Sequence, residues 1–335
     1  QREGSALGAF INQRLDSIEI QVSKLRDRLP EILAMQRQRL VAKLEEIDAG
    51  LDQSRLEQEL VHAAQKADVD EELDRLDAAM HELLMARAEV VRGVAEAKRQ
   101  ANGDGKVGFA VRPGREAQMM RAFLKRHQGE LPFKVVARLW REIINAMTRL
   151  QNALAVAIVD EDAVGHDDFV RRYDLVRSHW GTVTPITRYA DAAAMLAALD
   201  ADQGIMGVVD VTGRGTDWWR ALVDFNIENP DRRRFIVAPL PFFHEPGADE
   251  IEGYAVSPMP PEQSGDDVTL LAGVMTDQAL QACDVVRADD VPATAGLVAL
   301  DGFFDQNDDV LAQLAEQVGA PVHYLGAFAR PLAIG

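Results

Sequence analysis

The 335-residue chain carries 36 Lys and Arg against 54 Asp and Glu, a net charge of −18, with 47% hydrophobic residues and one cysteine. That length supports two or three domains with substantial cores, the lone Cys283 excludes an internal disulfide, and no run reaches the roughly 18 apolar residues that a membrane helix needs. The charge is uneven: residues 152–335 hold 11 Lys and Arg against 30 Asp and Glu, while the first 151 are balanced at 25 against 24, so the C-terminal half disfavours nucleic acid and anionic membrane.

No charged-then-apolar leader opens the sequence, and no cluster of His and Cys offers a structural zinc site. The cytoplasm is the expected compartment. Gln1 in place of a Met implies that the native start lies upstream.

Residues 5–68 predict two or three amphipathic helices. Leu7, Phe10, Ile11, Leu15, Ile18, Val22, Leu25 and Leu29 keep a helical period, Pro30 interrupts it, and Ile32, Leu33, Leu40, Leu44 and Ile47 resume it. Ala49-Gly50 ends that helix, and Asp52 or Ser54 can cap the next. Packing or coiled-coil surface is the simplest role for such a segment. Its Arg2-Glu-Gly-Ser-Ala-Leu, Leu15-Asp-Ser-Ile-Glu, Arg39-Leu, Leu56-Glu-Gln-Glu59-Leu and Ala67-Asp68-Val-Asp-Glu71-Glu72-Leu-Asp-Arg-Leu resemble the C-terminal helical part of the YicC family. That resemblance implies a metal-dependent endoribonuclease, with Glu59, Asp68, Glu71 and Glu72 as oxygen ligands for a divalent ion. The same carboxylates also read as an ordinary solvated helix surface.

From Val69 three helical segments follow. In the first, Leu73, Leu76, Met80, Leu83, Val90 and Val94 alternate at three and four, and Arg87 falls on their stripe. Lys98 lies eleven residues on, which returns to nearly the same face roughly 16 Å along the axis. Asn102-Gly-Asp-Gly105 is a loop, and no strand precedes it as a phosphate-binding loop requires. Pro113 starts the second helix, with Arg115 and Glu116 one turn before Met119, Met120 and Phe123. His127-Gln-Gly129 ends it, and Pro132 begins the third, whose apolar face is Val136, Leu139, Trp140, Ile143, Met147, Leu150 and Leu154, with Gln151 at the far end. Inward cations cost several kcal/mol each unless paired. They need either a bound anion or an internal ion-pair network through Glu116, unless their heads snorkel to a rim.

The run from Glu72 through Arg87, then Lys98, Arg112-Pro-Gly-Arg115-Glu116, Trp140-Arg-Glu-Ile-Ile and Arg149-Leu-Gln151 resembles the all-helical AroQ class of chorismate mutases. The resemblance implies rearrangement of chorismate to prephenate, without metal or organic cofactor, in an intertwined homodimer built on a long first helix. It implies that Arg87 and Arg115 hold substrate carboxylates, Lys98 and Gln151 hydrogen-bond the ether oxygen, and Glu116 holds a ring hydroxyl. Two positions depart from the family. Asp70 stands where an Arg crosses into the partner's site, and Met147 stands at the substrate-contacting position of a small hydroxyl residue. Glu71-Glu-Leu-Asp-Arg-Leu fits either family, which points to a fused or chimeric chain.

After Asn152 the pattern alternates: strand at Ala153–Val159, helices at Phe169–His179 and Asp191–Leu199, strand at Gly204–Asp210. Ala201-Asp-Gln-Gly-Ile-Met-Gly-Val-Val resembles a worn prephenate dehydratase domain, yet Arg234-Phe235 lacks the Thr of that family's signature, so no dehydratase activity is expected. From Asp266 the order is Val268–Val274 strand, Asp277–Cys283 helix, Leu297–Leu300 strand, Asp308–Val318 helix and Val322–Ala327 strand. Tyr324-Leu-Gly-Ala-Phe-Ala-Arg-Pro331 resembles the closing strand of the ACT fold, with a structural or dimerising role as the simpler reading. The expected organisation is a YicC-like helical segment (1–68), a three-helix mutase-like domain (69–151), an inactive dehydratase-like α/β domain (152–265) and an ACT-like domain (266–335). Chorismate is the expected small-molecule partner, and RNA enters only under the endoribonuclease alternative. A catalytically silent binding protein is the third class.

Overall fold

The computed structural model describes residues 35, 38, 53–102, 107–159, 166–211, 218–245, 251–288 and 296–334. The helices expected before Gly50 therefore lie almost wholly outside the described residues. The chain divides into two compact units, 1–86 and 87–335. Among the described residues, no helix is long and apolar enough to cross a membrane.

The helix α1 (Gln53–Ala101, 49 residues) begins between the two expected caps, Asp52 and Ser54. In the first unit it carries an i,i+3 ion pair, Arg75 Nε to Glu72 Oε2 at 2.8 Å. Its apolar stripe, Val69, Leu73, Leu76, Met80 and Leu83, is exposed, with Leu83 at 71%.

In the second unit α1 continues from Arg87. Ala95 is buried and Arg87, Ala88, Val91 and Lys98 are half-buried, while Val90 and Val94 remain exposed at 67% and 44%. The sequence pattern puts Val90 and Val94 inward; the structure turns the inward face toward Val91 and Ala95. With 100° between successive residues, the two faces share only the edge that carries Arg87 and Lys98. Small side chains at Ala88 and Ala95 let the backbone approach its neighbours closely.

The helices α2 (Pro113–Arg126) and α3 (Phe133–Gln151) start at the prolines the sequence singles out. Here too the buried face differs from the expected one. α3 buries Phe133, Ala137, Arg141, Ile144, Asn145 and Thr148 along a period of three and four, together with Met147, while Leu139 and Leu150 are exposed. Arg141 and Asn145 can be buried because each finds a partner within reach. Glu142 also accepts from the Thr182 backbone N–H at 3.0 Å, and Arg149 donates to the Val183 carbonyl at 2.6 Å, which ties α3 to the body behind it.

That body is an eight-stranded mixed sheet, order β2-β1-β3-β6-β4-β9-β7-β8. Its strands are β1 (Ala155–Val159), β2 (Ile186–Tyr189), β3 (Ile205–Asp210), β4 (Phe235–Leu240), β6 (Gly253–Ser257), β7 (Asp267–Ala272), β8 (Leu297–Asp301) and β9 (His323–Ala329). β1 runs parallel to β2 and β3, β6 lies antiparallel between β3 and β4, and β7 lies antiparallel between β9 and β8. A short parallel pair, β5 (Phe243–His244) with β10 (Leu332–Ala333), stands beside it. Alternate residues feed two cores: Val156, Ile158, Met206 and Val208 on one face with α4 (His166–Trp180), and Ala157, Val159 and Val209 on the other with α5 (Ala192–Ala198) and α6 (Arg220–Glu228). The remaining helices, α7 (Asp277–Ala282) and α8 (Asp309–Val318), cover the first face through Leu280 and Leu314. Strands on either side of residue 265 belong to the same sheet because β4 pairs with β9 at Ile236 and Gly326. Gly326 permits this approach: a Cβ there would lie 2.1 Å from the Ile236 carbonyl oxygen.

Candidate active site

The helices bring one cation and one aromatic ring together. Arg87, on the half-buried edge of α1, lies with its guanidinium 5.7 Å from the centre of the Trp140 ring of α3, and Trp140 is itself stacked on Phe123 of α2 at 4.3 Å. The Nη1 atom of Arg87 is buried with no hydrogen-bond partner among the described residues, and burial pulls the guanidinium below its ordinary pKa. A desolvated cationic donor without an acceptor is costly. Lys98, on the same edge and half-buried, forms no ion pair or side-chain hydrogen bond among the described residues. On α3, buried Met147 and half-buried Gln151 follow Trp140 by seven and eleven residues, within about 20° of it around the helix axis.

The other two sequence candidates are placed differently. Arg115 is exposed and, among the described residues, hydrogen-bonds Gln118, Nη1 to Oε1 at 3.3 Å. Glu116 is buried and accepts from Arg141, Oε2 to Nη1 at 2.8 Å, a partner outside the cations Arg87, Lys98 and Arg115 for which the sequence allows a network through Glu116. Burial drives the Glu116 carboxyl up, with Arg141 pulling the other way. Among the described residues no hydrogen bond joins Arg115 or Glu116 to Arg87 or Lys98.

Residues that the sequence pattern passed over frame α2 and α3. Arg141 lies 5.1 and 5.6 Å from the ring centres of Phe242 and Phe243. Asn145 donates to the carbonyls of Arg141 (2.8 Å) and His179 (2.9 Å). His179 is buried, which pushes its imidazole pKa well below the ordinary 6.5, and Arg141 adds to the effect. The polar period Arg141, Asn145, Thr148 in α3 was the available signal. The start of α2 is held from outside: Arg112 Nε pairs with Glu262 Oε1 at 2.9 Å, and Arg121 donates to the Asp266 carbonyl at 2.7 Å. Gly114 makes that approach possible, since a Cβ there would lie 2.5 Å from the Glu262 carbonyl oxygen.

Asp68, Glu71 and Glu72 are exposed on α1, while the side chain of Glu59 lies outside the described residues. Among those residues no group of three or more His, Cys, Asp and Glu side chains is placed to hold a metal ion. Arg234, which the sequence expectation compares with the dehydratase signature, is buried and donates to the carbonyls of Leu196 (3.0 Å) and Leu199 (2.7 Å) at the end of α5.

Comparison with known proteins divides along the same line. A solved structure described as GqqA, a novel type of quorum quenching acylases, covers 52% of this chain and 94% of its own at 15% identity and TM-score 0.32, a likeness too loose to argue from. The probable endoribonuclease YicC of Haemophilus influenzae is 48% identical over 75 residues, 22% of this chain and 26% of that protein. The bifunctional chorismate mutase/prephenate dehydratase of Pseudomonas aeruginosa is 36% identical over 85 residues, 25% of this chain and 23% of that protein. The chain thus spans about a quarter of the length of each of these relatives. Residues 25–92 match the family model of the endoribonuclease YicC-like C-terminal domain, and residues 69–152, which include Arg87, Lys98, Arg115, Glu116, Met147 and Gln151, match that of chorismate mutase type II.

Proposed function

We propose that residues 69–151 rearrange chorismate to prephenate and act as a homodimer. The observation that carries this reading is the buried, unpartnered Nη1 of Arg87, on a helix edge shared with the free ammonium of Lys98 and inside the segment that matches chorismate mutase type II. The reaction has no external nucleophile. It needs a folded conformer and donors aimed at charge developing on the ether oxygen. On this reading Arg87 grips a carboxylate as a planar fork, Lys98 and Gln151 meet the ether oxygen, and Arg115 turns inward from its exposed position to take the second carboxylate. Glu116 accepts the ring hydroxyl, and Met147 lines the substrate.

The second copy follows from the uncovered apolar surface. Leu73, Leu76, Met80, Leu83, Val90 and Val94 of α1 and Leu139 and Leu150 of α3 all face solvent in one chain. Leu73, Leu76, Met80 and Leu83 in the first unit, and separately Val90, Val94, Leu139 and Leu150 in the second, are exposed apolar groups of the kind that support association. The sheet-bearing body, dehydratase-like at 152–265 and ACT-like at 266–335, serves this domain as a support. Loss of chorismate absorbance on adding the purified full chain, with prephenate as the product and no added metal, tests the reading; absence of turnover refutes it. The 48% identity to a YicC protein supports a second reading, an RNA-cleaving segment, which predicts degradation of RNA with a divalent ion and independence from Lys98.

A further inference from the structure

We propose that Arg141 is a positioning residue for Glu116 and that the sheet-bearing body, through Phe242, Phe243 and the His179 carbonyl, thereby forms part of the mutase site. The inference rests on the mutase reading above, in which Glu116 meets a hydroxyl of the substrate ring.

The geometry of the pair carries it. A carboxylate that neutralises a buried guanidinium frequently uses both oxygens in a bidentate fork. Here only Oε2 of Glu116 is taken, by Nη1 of Arg141 at 2.8 Å, and Oε1 has no hydrogen-bond partner among the described residues. The arrangement orients one oxygen and leaves the other available as an acceptor. Arg141 is in turn held on every side. It is 4% exposed, its guanidinium lies against Phe242 and Phe243, and its backbone carbonyl accepts from Asn145, which also donates to the His179 carbonyl. Contacts therefore run without a break from β5 and the end of α4, through Arg141, to the carboxylate in the first turn of α2. This accounts for the burial of Arg141 and Asn145 in α3 while Leu139 and Leu150 face solvent. A rotation of Arg141 would swing Oε1 away, and displacements of about 1 Å cost up to about a hundredfold in rate.

The test is a double-mutant cycle on the full chain, read as chorismate kcat and KM for the unaltered protein, Arg141→Met, Glu116→Gln and the double variant, with thermal melting to verify folding. The expected result is a loss of about 30-fold in kcat/KM for Arg141→Met, and a further loss of less than about threefold when it is made in the Glu116→Gln background, because the two act as one unit. Arg141→Lys, which keeps a donor, should recover about half of the loss on a logarithmic scale. Phe242→Leu, a milder change should Arg141→Met fail to fold, should lower kcat/KM about fivefold in the unaltered chain and leave Glu116→Gln unchanged. Full additivity of Arg141→Met or Phe242→Leu with Glu116→Gln would overturn the positioning role while the mutase reading stands. An unaltered protein that folds but does not consume chorismate would overturn the mutase reading itself, and this inference with it.

Discussion

Replacing Arg87 by Met should stabilise the protein and disable it, two effects of opposite sign from one atom. Met keeps the length, the helix propensity and the apolar contact with Trp140. What is lost is a cation 5.7 Å from the ring centre, worth about 0.5–1 kcal/mol at a half-exposed site. What is relieved is the buried Nη1 without an acceptor, a penalty of about 1–3 kcal/mol. The net is a gain of about 1 kcal/mol, which for a unit of this size raises Tm by about 2–4 °C. In the mutase assay the same change removes a charge-assisted hydrogen bond to a substrate carboxylate, about 1.5–3 kcal/mol, so kcat/KM should fall by about 10- to 150-fold. Circular-dichroism melting and chorismate kinetics on one preparation read both quantities. A variant that melts several degrees lower while retaining turnover would refute the reasoning, because Arg87 would then be a structural cation.

Lys98→Ala should lower kcat by about two to three orders of magnitude, the loss of roughly 3–4 kcal/mol expected for one donor to a developing oxyanion; unchanged turnover would exclude it from the site. Val90→Asp places a charge in the exposed stripe and should convert a dimer in sedimentation at micromolar concentration to monomer with loss of activity, whereas a monomeric unaltered protein would contradict the dimer. Asp70→Arg should raise kcat/KM: two unit charges about 6 Å apart repel by roughly 3 kcal/mol at an effective dielectric of 20, and the substitution reverses that sign. Unchanged or poorer kinetics in a persistent dimer would show that Asp70 faces no substrate. His179 stays neutral when folded because burial lowers its pKa well below 6.5, so the unfolded chain binds the extra proton and stability is lost as pH falls below about 6.5, by up to about 1.4 kcal/mol per unit. Glu116, whose pKa is raised, acts in the opposite sense in the window just above 4.5. The comparison with His179→Gln isolates the histidine: the variant should show a shallower fall, and equal slopes would refute the assignment.

The order of elements was legible along the chain because its signals are local. Pro113 and Pro132 mark helix starts through a fixed φ and a missing N–H, the strands at Ala155–Val159 and Ile205–Asp210 are short apolar runs, and helices at His166–Trp180, Asp277–Ala282 and Asp309–Val318 fall where the period changes. β2, α6, β4 and β6 were not anticipated. Ile186–Tyr189 and Gly253–Ser257 are too short for periodicity to declare them, and their strand character comes from pairing with β1, β3 and β4, residues distant in sequence.

The same limit governs the candidate site. Arg87 and Lys98 could be singled out because a helix places residues eleven apart on one edge, a property of the backbone alone, and Gln151 because it ends an apolar face, whereas Met147 enters the site only through the family resemblance. Which faces are covered is decided by what packs there. Hydrophobic spacing alone assigns Val90, Val94, Leu139 and Leu150 to the interior, yet they face solvent, while Arg141, Asn145 and Glu116 are buried. A buried charge is tolerable only when its partner arrives from another element, and neither Phe242 nor the His179 carbonyl is near Arg141 in sequence. The sequence by itself therefore determined the helices and the polar residues along their edges. Only the tertiary structure decided that Glu116 answers to Arg141 and that one continuous sheet stands behind the pair, because burial and pairing are properties of segments brought together across the fold.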